Sequence, residues 1–152
     1  LVAKGNPKAL DFDSLCGMPV GVTKGSVSDF AAQEVSKKCS DSGDKKLDIQ
    51  AFPNQNGAIL ALDAGRVDAV IASLTVNAYL AQQSNNKFDA TDKVLSTRMV
   101  GYTVKKGSDQ LANALITSLK AMKDDGTYDS ILKKWGVEGT GLDSAADFTI
   151  VK

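Results

Sequence analysis

The first two-thirds of the chain alternate short apolar segments with amphipathic ones, and this alternation limits the possible folds more than any other feature. Valine-rich Pro19–Thr23 and residues 47–52 and 67–72 predict three strands. A helix is predicted after each strand: from the turn at 25–29 to Lys38, over 54–64, and over Leu74–Gln83. This order predicts an α/β fold with a parallel-rich sheet flanked by helices. Ligands bind such sheets at the carboxyl ends of the strands, which lie at residues 23–27, 52–55 and 72–75.

The pattern changes after Asn85 and Asn86. Residues 94–104 are predicted to be one extended segment, interrupted at 98–101, of the kind that crosses between two lobes. A helix capped by Ser108 or Asp109 follows and ends at Gly126, and its apolar stripe is interpreted as the core face of a packed helix. That stripe comprises Leu111, Ala112, Leu115, Ile116, Leu119 and Met122. Trp135, on a final amphipathic segment, is also expected to be buried, and residues 148–151 are a candidate edge strand.

Charge and hydropathy exclude several functional classes. Eighteen basic and eighteen acidic residues cancel, so the chain has no charge bias suited to nucleic acid. No apolar run approaches the roughly 20 residues that cross a bilayer. Residues 1–7 lack a basic region followed by an apolar run, so we expect any export signal to lie outside this sequence.

Cysteine and histidine usage limits the possible chemistry further. The chain has no histidine, two cysteines and no CxxC motif, which argues against a zinc site, a Cys-His nucleophile and a Ser-His-Asp triad, so we expect no metal and no cofactor. Cys16 and Cys39 could form a disulfide worth about 3 kcal/mol, or could be two unrelated buried thiols. The spacing alone does not choose between these alternatives.

Four motifs in order carry a family resemblance: LCGMPVGVTKGSV, AFPNQNGAILALDAGRVDAVIAS, VGYTVKKGS and LKAMKDDGTYDSILKKWGV. They are distributed in this order between residues 15 and 137, and the chain resembles the polar amino-acid branch (family 3) of the extracytoplasmic solute-binding proteins of ABC importers. The resemblance implies a periplasmic-binding-protein-like lobe of type II. Because some members carry a cysteine pair around this strand and helix, it also favours a Cys16–Cys39 bridge.

The resemblance also implies a domain organisation. Residues 1–4 would be the outgoing hinge strand, 5–98 a complete second lobe, and 99–152 the return hinge with the C-terminal part of the first lobe. The N-terminal part of lobe one, which in the family supplies an aromatic clamp and an arginine for a ligand carboxylate, would then be a missing partner of this chain. An extracytoplasmic location is implied, periplasmic or at the cell surface, with any lipid anchor on a segment outside this chain.

The first group of candidate ligand-binding residues is Gly25, Ser26 and Val27, where a strand gives way to a helix. Backbone N–H groups at a helix N-terminus lack intrahelical partners and favour an anion, so a ligand carboxylate would fit. An ordinary serine N-cap is an equally good interpretation of Ser26. The family's common form is Gly-Thr-Thr, so Val27 contributes only its amide.

The second group is Thr23, Ser73 and Thr75 at the ends of the first and third strands. In amino-acid binders of the family, the residue that follows the third strand is usually an aspartate that pairs with the ligand ammonium, and here it is Ser73. Three explanations remain: a ligand without an α-ammonium, which we favour, an acid supplied by the missing segment, or lost amino-acid binding. Thr23 and Thr75 would face the distal part of the ligand, or could merely satisfy backbone groups.

The resemblance implies a substrate-binding component that closes on a small polar solute, an amino acid or a related organic acid or amine, and delivers it to an ABC permease in the membrane. No catalysis is expected. The alternatives are a ligand-sensing domain of a receptor and, less favoured, a dehydratase or lytic enzyme on the same fold. Asp68, an acid inside an apolar strand, is interpreted as structural.

Overall fold

The chain folds into two compact units, Leu1–Thr97 and Arg98–Lys152. The structure is a computed structural model that describes residues 1–10, 15–91, 93–97 and 101–150. Within these residues no helix combines the length and apolar character needed to span a bilayer.

The first unit is built on a five-stranded mixed sheet. Its strands are β1 (Val2–Ala3), β2 (Pro19–Thr23), β3 (Asp48–Phe52), β4 (Ala69–Val70) and β5 (Phe88–Asp89), and their order across the sheet is β3-β2-β4-β1-β5. Strand β2 pairs in parallel with β3 and β4, whereas β1 pairs antiparallel with β4 and β5. The parallel strands connect through helices, because parallel neighbours cannot be joined by a tight turn and need a crossover connection.

Three helices, α1 (Val27–Asp41), α2 (Gln55–Asp63) and α3 (Leu74–Gln83), accompany this sheet. Val20 and Val22 are fully buried in one apolar cluster with Ala32 of α1. Gly21 faces the other way, where an added Cβ would lie 3.4 Å from Ala58 of α2. Successive residues of β2 thus pack against different helices, and glycine allows α2 to approach closely.

Cys16 and Cys39 form a disulfide with a Cα–Cα distance of 5.5 Å, which confirms the bridge that the family resemblance favoured. The bond ties the segment before β2 to the C-terminal part of α1. Both cysteines therefore belong to the framework of the first unit.

Several predicted boundaries need correction. The strand predicted over 67–72 is only Ala69–Val70, because the amides of Arg66 and Val67 bond back to the carbonyl of Ala61 at the end of α2. The predicted extended segment forms no strand in its described parts, 94–97 and 101–104, while residues 98–100 lie outside the described residues. Strand β5 was not predicted. It is two residues long and owes its existence to pairing with β1.

The second unit contains α4 (Asp109–Asp124), α5 (Thr127–Lys134) and short 3-10 turns at Glu138–Thr140 and Ala145–Asp147. Gly126 separates the two helices with a φ of 81°, a conformation that suits glycine. The ring of Tyr128 meets that of Phe148 edge to face at 5.3 Å. No strand is found over 148–150, and Val151 lies outside the described residues.

The expectation that the α4 stripe and Trp135 are buried is wrong for this chain. No residue of α4 is buried, Leu111 is 53% exposed and Trp135 is 46% exposed. Among the described residues of this unit, only Val137 and Phe148 are buried hydrophobic residues. A segment of this size has too little apolar surface of its own to cover the apolar face of α4.

Candidate ligand-binding edge of the sheet

The carboxyl ends of three parallel strands meet at one edge of the first unit. Thr23, the last residue of β2, is in register with Phe52, the last residue of β3. On its other side β2 is in register with β4 through Gly21 and Val70, so the segment leading to Ser73 ends at the same edge. The structure therefore brings the two predicted groups of site residues to a common edge, which we call the ligand edge (Thr23–Ser28, Gln55 and Ser73–Thr75).

The turn between β2 and α1 has a different hydrogen-bond pattern from the one expected. The Gly25 amide donates to Oδ2 of Asp29 at 2.8 Å, and the Ser26 amide donates to the Thr23 carbonyl at 3.1 Å. Val27 and Ser28 are the first residues of α1, and their amides have no hydrogen-bond partner among the described residues. Of the three amides proposed to hold an anion, only that of Val27 is therefore unengaged, and Ser28 adds a second.

Asp29 is a feature of this turn that the sequence patterns did not single out. It is a buried carboxylate that accepts hydrogen bonds from the Gly25 amide and, at 2.9 Å, from Nε2 of Gln33. These bonds, the Gly25 bond first, lower the pKa of Asp29, with a further contribution from the charge of Lys24 and against the opposing effect of burial. A Ser-x-x-Asp pattern at Ser26 and Asp29 resembles a capping box and was the available signal.

Ser26 is the N-cap of α1. Its Oγ accepts a hydrogen bond from the Asp29 amide at 3.2 Å, as the N-cap interpretation predicted. Because the hydroxyl accepts this bond, its proton remains for another acceptor. The cap and the anion-binding interpretations of Ser26 are therefore compatible.

Thr23 and Gln55 form a side-chain pair at the centre of the ligand edge. Oγ1 of Thr23 donates to Oε1 of Gln55 at 3.0 Å. Nε2 of Gln55 is buried and has no hydrogen-bond partner among the described residues. Gln55 lies within the predicted strand-end segment 52–55, but no sequence pattern singles it out.

Ser73 and Thr75 lie at the start of α3, where both are exposed. Oγ of Ser73 accepts from the Val76 amide at 3.4 Å and lies 3.2 Å from Oγ1 of Thr75. Ser73 is thus an N-cap as well as a site candidate. Neither residue brings a charge to the ligand edge.

Asp68 lies near the opposite end of β4. Its side chain pairs with Lys8 and its amide donates to the Pro19 carbonyl at 2.8 Å, in agreement with a structural role. In the part of the chain that the structure describes, no cluster of three or more histidine, cysteine or acidic residues could hold a metal ion.

The first unit has the α/β fold of type II periplasmic binding proteins. The chain belongs to the bacterial extracellular solute-binding proteins, family 3, whose sequence model matches residues 19–138. This confirms the family resemblance and the fold class inferred from the sequence.

Relatives with known names agree with this assignment. The chain is 34% identical over 119 residues to the glutamine-binding protein of an ABC transporter from Bacillus subtilis, covering 78% of this chain and 40% of the relative. It is 30% identical over 142 residues to the lysine/arginine/ornithine-binding periplasmic protein of Escherichia coli K12, covering 89% and 52%. An ancestral arginine-binding protein bound to arginine superposes with a TM-score of 0.62 at 36% identity, over 88% of this chain and 57% of that one. The chain spans about half the length of the curated relatives it matches.

Proposed function

We propose that the chain is part of the substrate-binding component of an ABC importer and that it holds a small polar solute without transforming it. The turn from Thr23 to Ser28 carries this proposal, because it presents the unengaged amides of Val27 and Ser28 at the carboxyl edge of a parallel pair. The named relatives that bind glutamine, arginine, lysine or ornithine support a ligand of amino-acid size.

The ligand would place an acidic or other acceptor group at the start of α1. The amides of Val27 and Ser28 and the hydroxyl of Ser26 are the donors available at this position. The buried carboxylate of Asp29 accepts the Gly25 amide, and its negative charge disfavours a multiply charged anion at the start of α1. An amino-acid carboxylate or an organic acid meets this description.

Ser73 favours a ligand without an α-ammonium. An ammonium that loses its water needs a counter-charge, and its absence costs several kcal/mol, more than a serine hydroxyl returns. Ser73 bonds with the Val76 amide and Thr75 and brings no carboxylate. An acid supplied by lobe one would restore amino-acid binding. Melting the intact protein with amino acids and with organic acids distinguishes these alternatives.

In the complete protein, residues 5–98 would form lobe two and 99–152 would return to finish lobe one, with Leu1–Lys4 as the outgoing hinge. The exposed apolar side chains of the second unit support this organisation: Leu111, Leu115, Ile131 and Trp135. They would pack against the N-terminal part of lobe one, and hinge closure over the solute would present the closed form to the membrane permease. The protein would be extracytoplasmic, and any lipid anchor would be carried by a segment outside this chain.

Ligand-dependent thermal stability tests the proposal. The intact protein, purified without refolding, is melted with amino acids, organic acids, amines and osmolytes, each at high concentration. Ligand at about 100 times its Kd adds about 2.7 kcal/mol, which raises Tm by several degrees. Absence of a shift with every compound would contradict a binding function.

The two alternatives have separate tests. A sensory module would bind the same ligand, and the full-length gene distinguishes it by a receptor, channel or kinase segment following the clamp. An enzyme would convert a prephenate-like or peptidoglycan substrate, which mass spectrometry detects as a new product. The absence of histidine from the whole sequence favours binding over this chemistry.

A further inference from the structure

We propose that strand β3 and the adjoining face of α1 form the interface of a homodimer, in which the β3 strands of two copies pair antiparallel about a two-fold axis at Gln50. This inference goes beyond the proposed binding function and does not depend on it. Its basis is an open sheet edge whose backbone groups and charges are complementary to those of a second copy.

Strand β3 lies at one edge of the five-stranded sheet and has β2 on one side only. The Asp48 amide bonds at 2.9 Å to a carbonyl before β2, and the Phe52 carbonyl bonds at 2.8 Å to the amide that follows β2. Alternate residues of β3 therefore face β2, while the amides and carbonyls of Ile49 and Ala51 point outward without a partner among the described residues. The strand contains no proline, lysine or bulge, which are the usual protections of an edge.

The outward-facing groups determine the register of the pair. Antiparallel residues whose backbone groups face each other exchange two hydrogen bonds. With the axis at Gln50, Ile49 of each copy lies opposite Ala51 of the other, so four hydrogen bonds form and all outward-facing groups are used. An axis at Ile49 or Ala51 would instead place one of these residues opposite Leu47 or Pro53, outside the strand.

The charges beside β3 are complementary in this register. The guanidinium of Arg66 lies 5.8 Å from the centroid of the Phe52 ring, on the α2 side of the sheet. Asp48 shares that side, because side chains alternate along a strand. Neither Asp48 nor Arg66 has an ion-pair partner among the described residues. With the axis at Gln50, Asp48 lies opposite Phe52 of the second copy and near Arg66 of that copy, which gives two symmetric ion pairs.

The α1 side of the edge has room for a second α1. A groove of about 260 Å³ lies between α1 and β3, with Gln33, Lys37 and Ile49 in its lining. Phe30, one turn before Gln33, continues this face of α1 and is 56% exposed. Because α1 contacts both β2 and β3, the two α1 helices would lie two strand spacings apart, about 10 Å, a distance at which helices pack. This contact would cover Phe30 and add the area that a strand pair alone lacks.

Sedimentation velocity of the intact protein over a concentration series tests the inference. The wild type should form a dimer whose population rises with concentration. Ala51→Pro removes an outward amide and no bond to β2, so it should weaken the dimer about tenfold or more through the loss of two hydrogen bonds. Ala51→Ser keeps the amide and is the matched control. Tm values at low concentration, where both proteins are monomeric, verify that the proline variant folds.

Two further sets of variants test the register. Asp48→Arg and Arg66→Asp should each weaken the dimer by bringing like charges together, and the double variant should restore it. Gln50→Cys should give a disulfide-linked dimer, because paired residues at the axis have Cα atoms about 4.5 Å apart and both native cysteines are already bonded. Gln82→Cys, at an exposed position of α3, is the matched control and should not cross-link.

Several results would overturn the inference. A wild type that stays monomeric up to millimolar concentration would leave this edge to a different partner. A dimer that Ala51→Pro leaves unchanged would lie elsewhere on the surface. A double charge variant no stronger than the single variants, or a Gln50→Cys protein that cross-links no faster than Gln82→Cys, would contradict the register. Ligand-dependent Tm shifts decide the binding function separately, so failure of the dimer and failure of binding are distinguishable.

Discussion

The amides of Val27 and Ser28 are the residue-scale feature on which the proposed anion binding depends. The side chain of Val27 is 59% exposed, so this residue is suited to act through its backbone rather than through packing. Val27 is the first residue of α1, where proline is well tolerated because its missing N–H has no intrahelical partner. The binding role of the amide can therefore be separated from its structural role.

Val27→Pro should weaken binding of a carboxylate-bearing ligand about tenfold or more, because one hydrogen bond to a charged group contributes roughly 1.5–3 kcal/mol. Ser26 has the extended φ and ψ of −82° and 167° that a residue before proline prefers, so the fold should persist. Calorimetric Kd values check this, with Val27→Ala as the control that keeps the amide. Equal affinity in the proline and alanine variants would remove Val27 from the site.

Asp29 predicts a pH dependence of stability. Its pKa is lowered in the folded state, chiefly by the bond from the Gly25 amide, so its contribution to stability is present above the unfolded pKa of about 4 and is lost as pH falls through the folded pKa. The Tm difference between wild type and Asp29→Asn should be full near pH 7 and shrink in acid. Asp44→Asn, at an exposed position, is the control, and a difference independent of pH would contradict the role of the charge.

At the scale of elements, the disulfide holds the segment before β2 on α1. Closing a loop of this length stabilises a fold by about 3 kcal/mol through the unfolded state. The double variant Cys16→Ser and Cys39→Ser should lose stability of this order in urea unfolding. Added reductant should lower the wild type to the same level and leave the double variant unchanged. A wild type that is insensitive to reductant under unfolding conditions would be inconsistent with this role.

At the scale of elements, the bounds of a strand or helix were predicted correctly where the segment's own residues specify them. β2 and α3 have the predicted bounds, because valine-rich and serine-capped segments carry their own signals. β4 is shorter than predicted and β5 was not predicted, because these two-residue strands depend on pairing with β2 and β1. The bond from Gly25 to Asp29 was missed for a related reason: it requires the side chain to turn back across the start of α1.

At the scale of the whole molecule, the two units differ in how completely they bury apolar surface. The first unit has apolar clusters that involve α1 and α2, whereas no residue of the apolar stripe on α4 in the second unit is buried. We predict that in the isolated chain residues 5–98, together with strand β1, which pairs with β4 and β5, fold autonomously and residues 99–152 are poorly protected from hydrogen exchange. Equal protection of both would contradict this, unless a separate chain supplies the rest of lobe one.

The sequence by itself determined the family, the α/β class and the strand ends that form the candidate ligand edge, because these depend on residue type and order. The tertiary structure decided which groups at that edge are available. The Gly25 amide and the Thr23 hydroxyl are each paired with a side chain of another element, Asp29 and Gln55, while the amides of Val27 and Ser28 have no partner in the part of the chain that the structure describes. Hydrogen-bond partners separated along the chain are set by the packing of α1 and α2 on the sheet, and a linear pattern does not encode their direction.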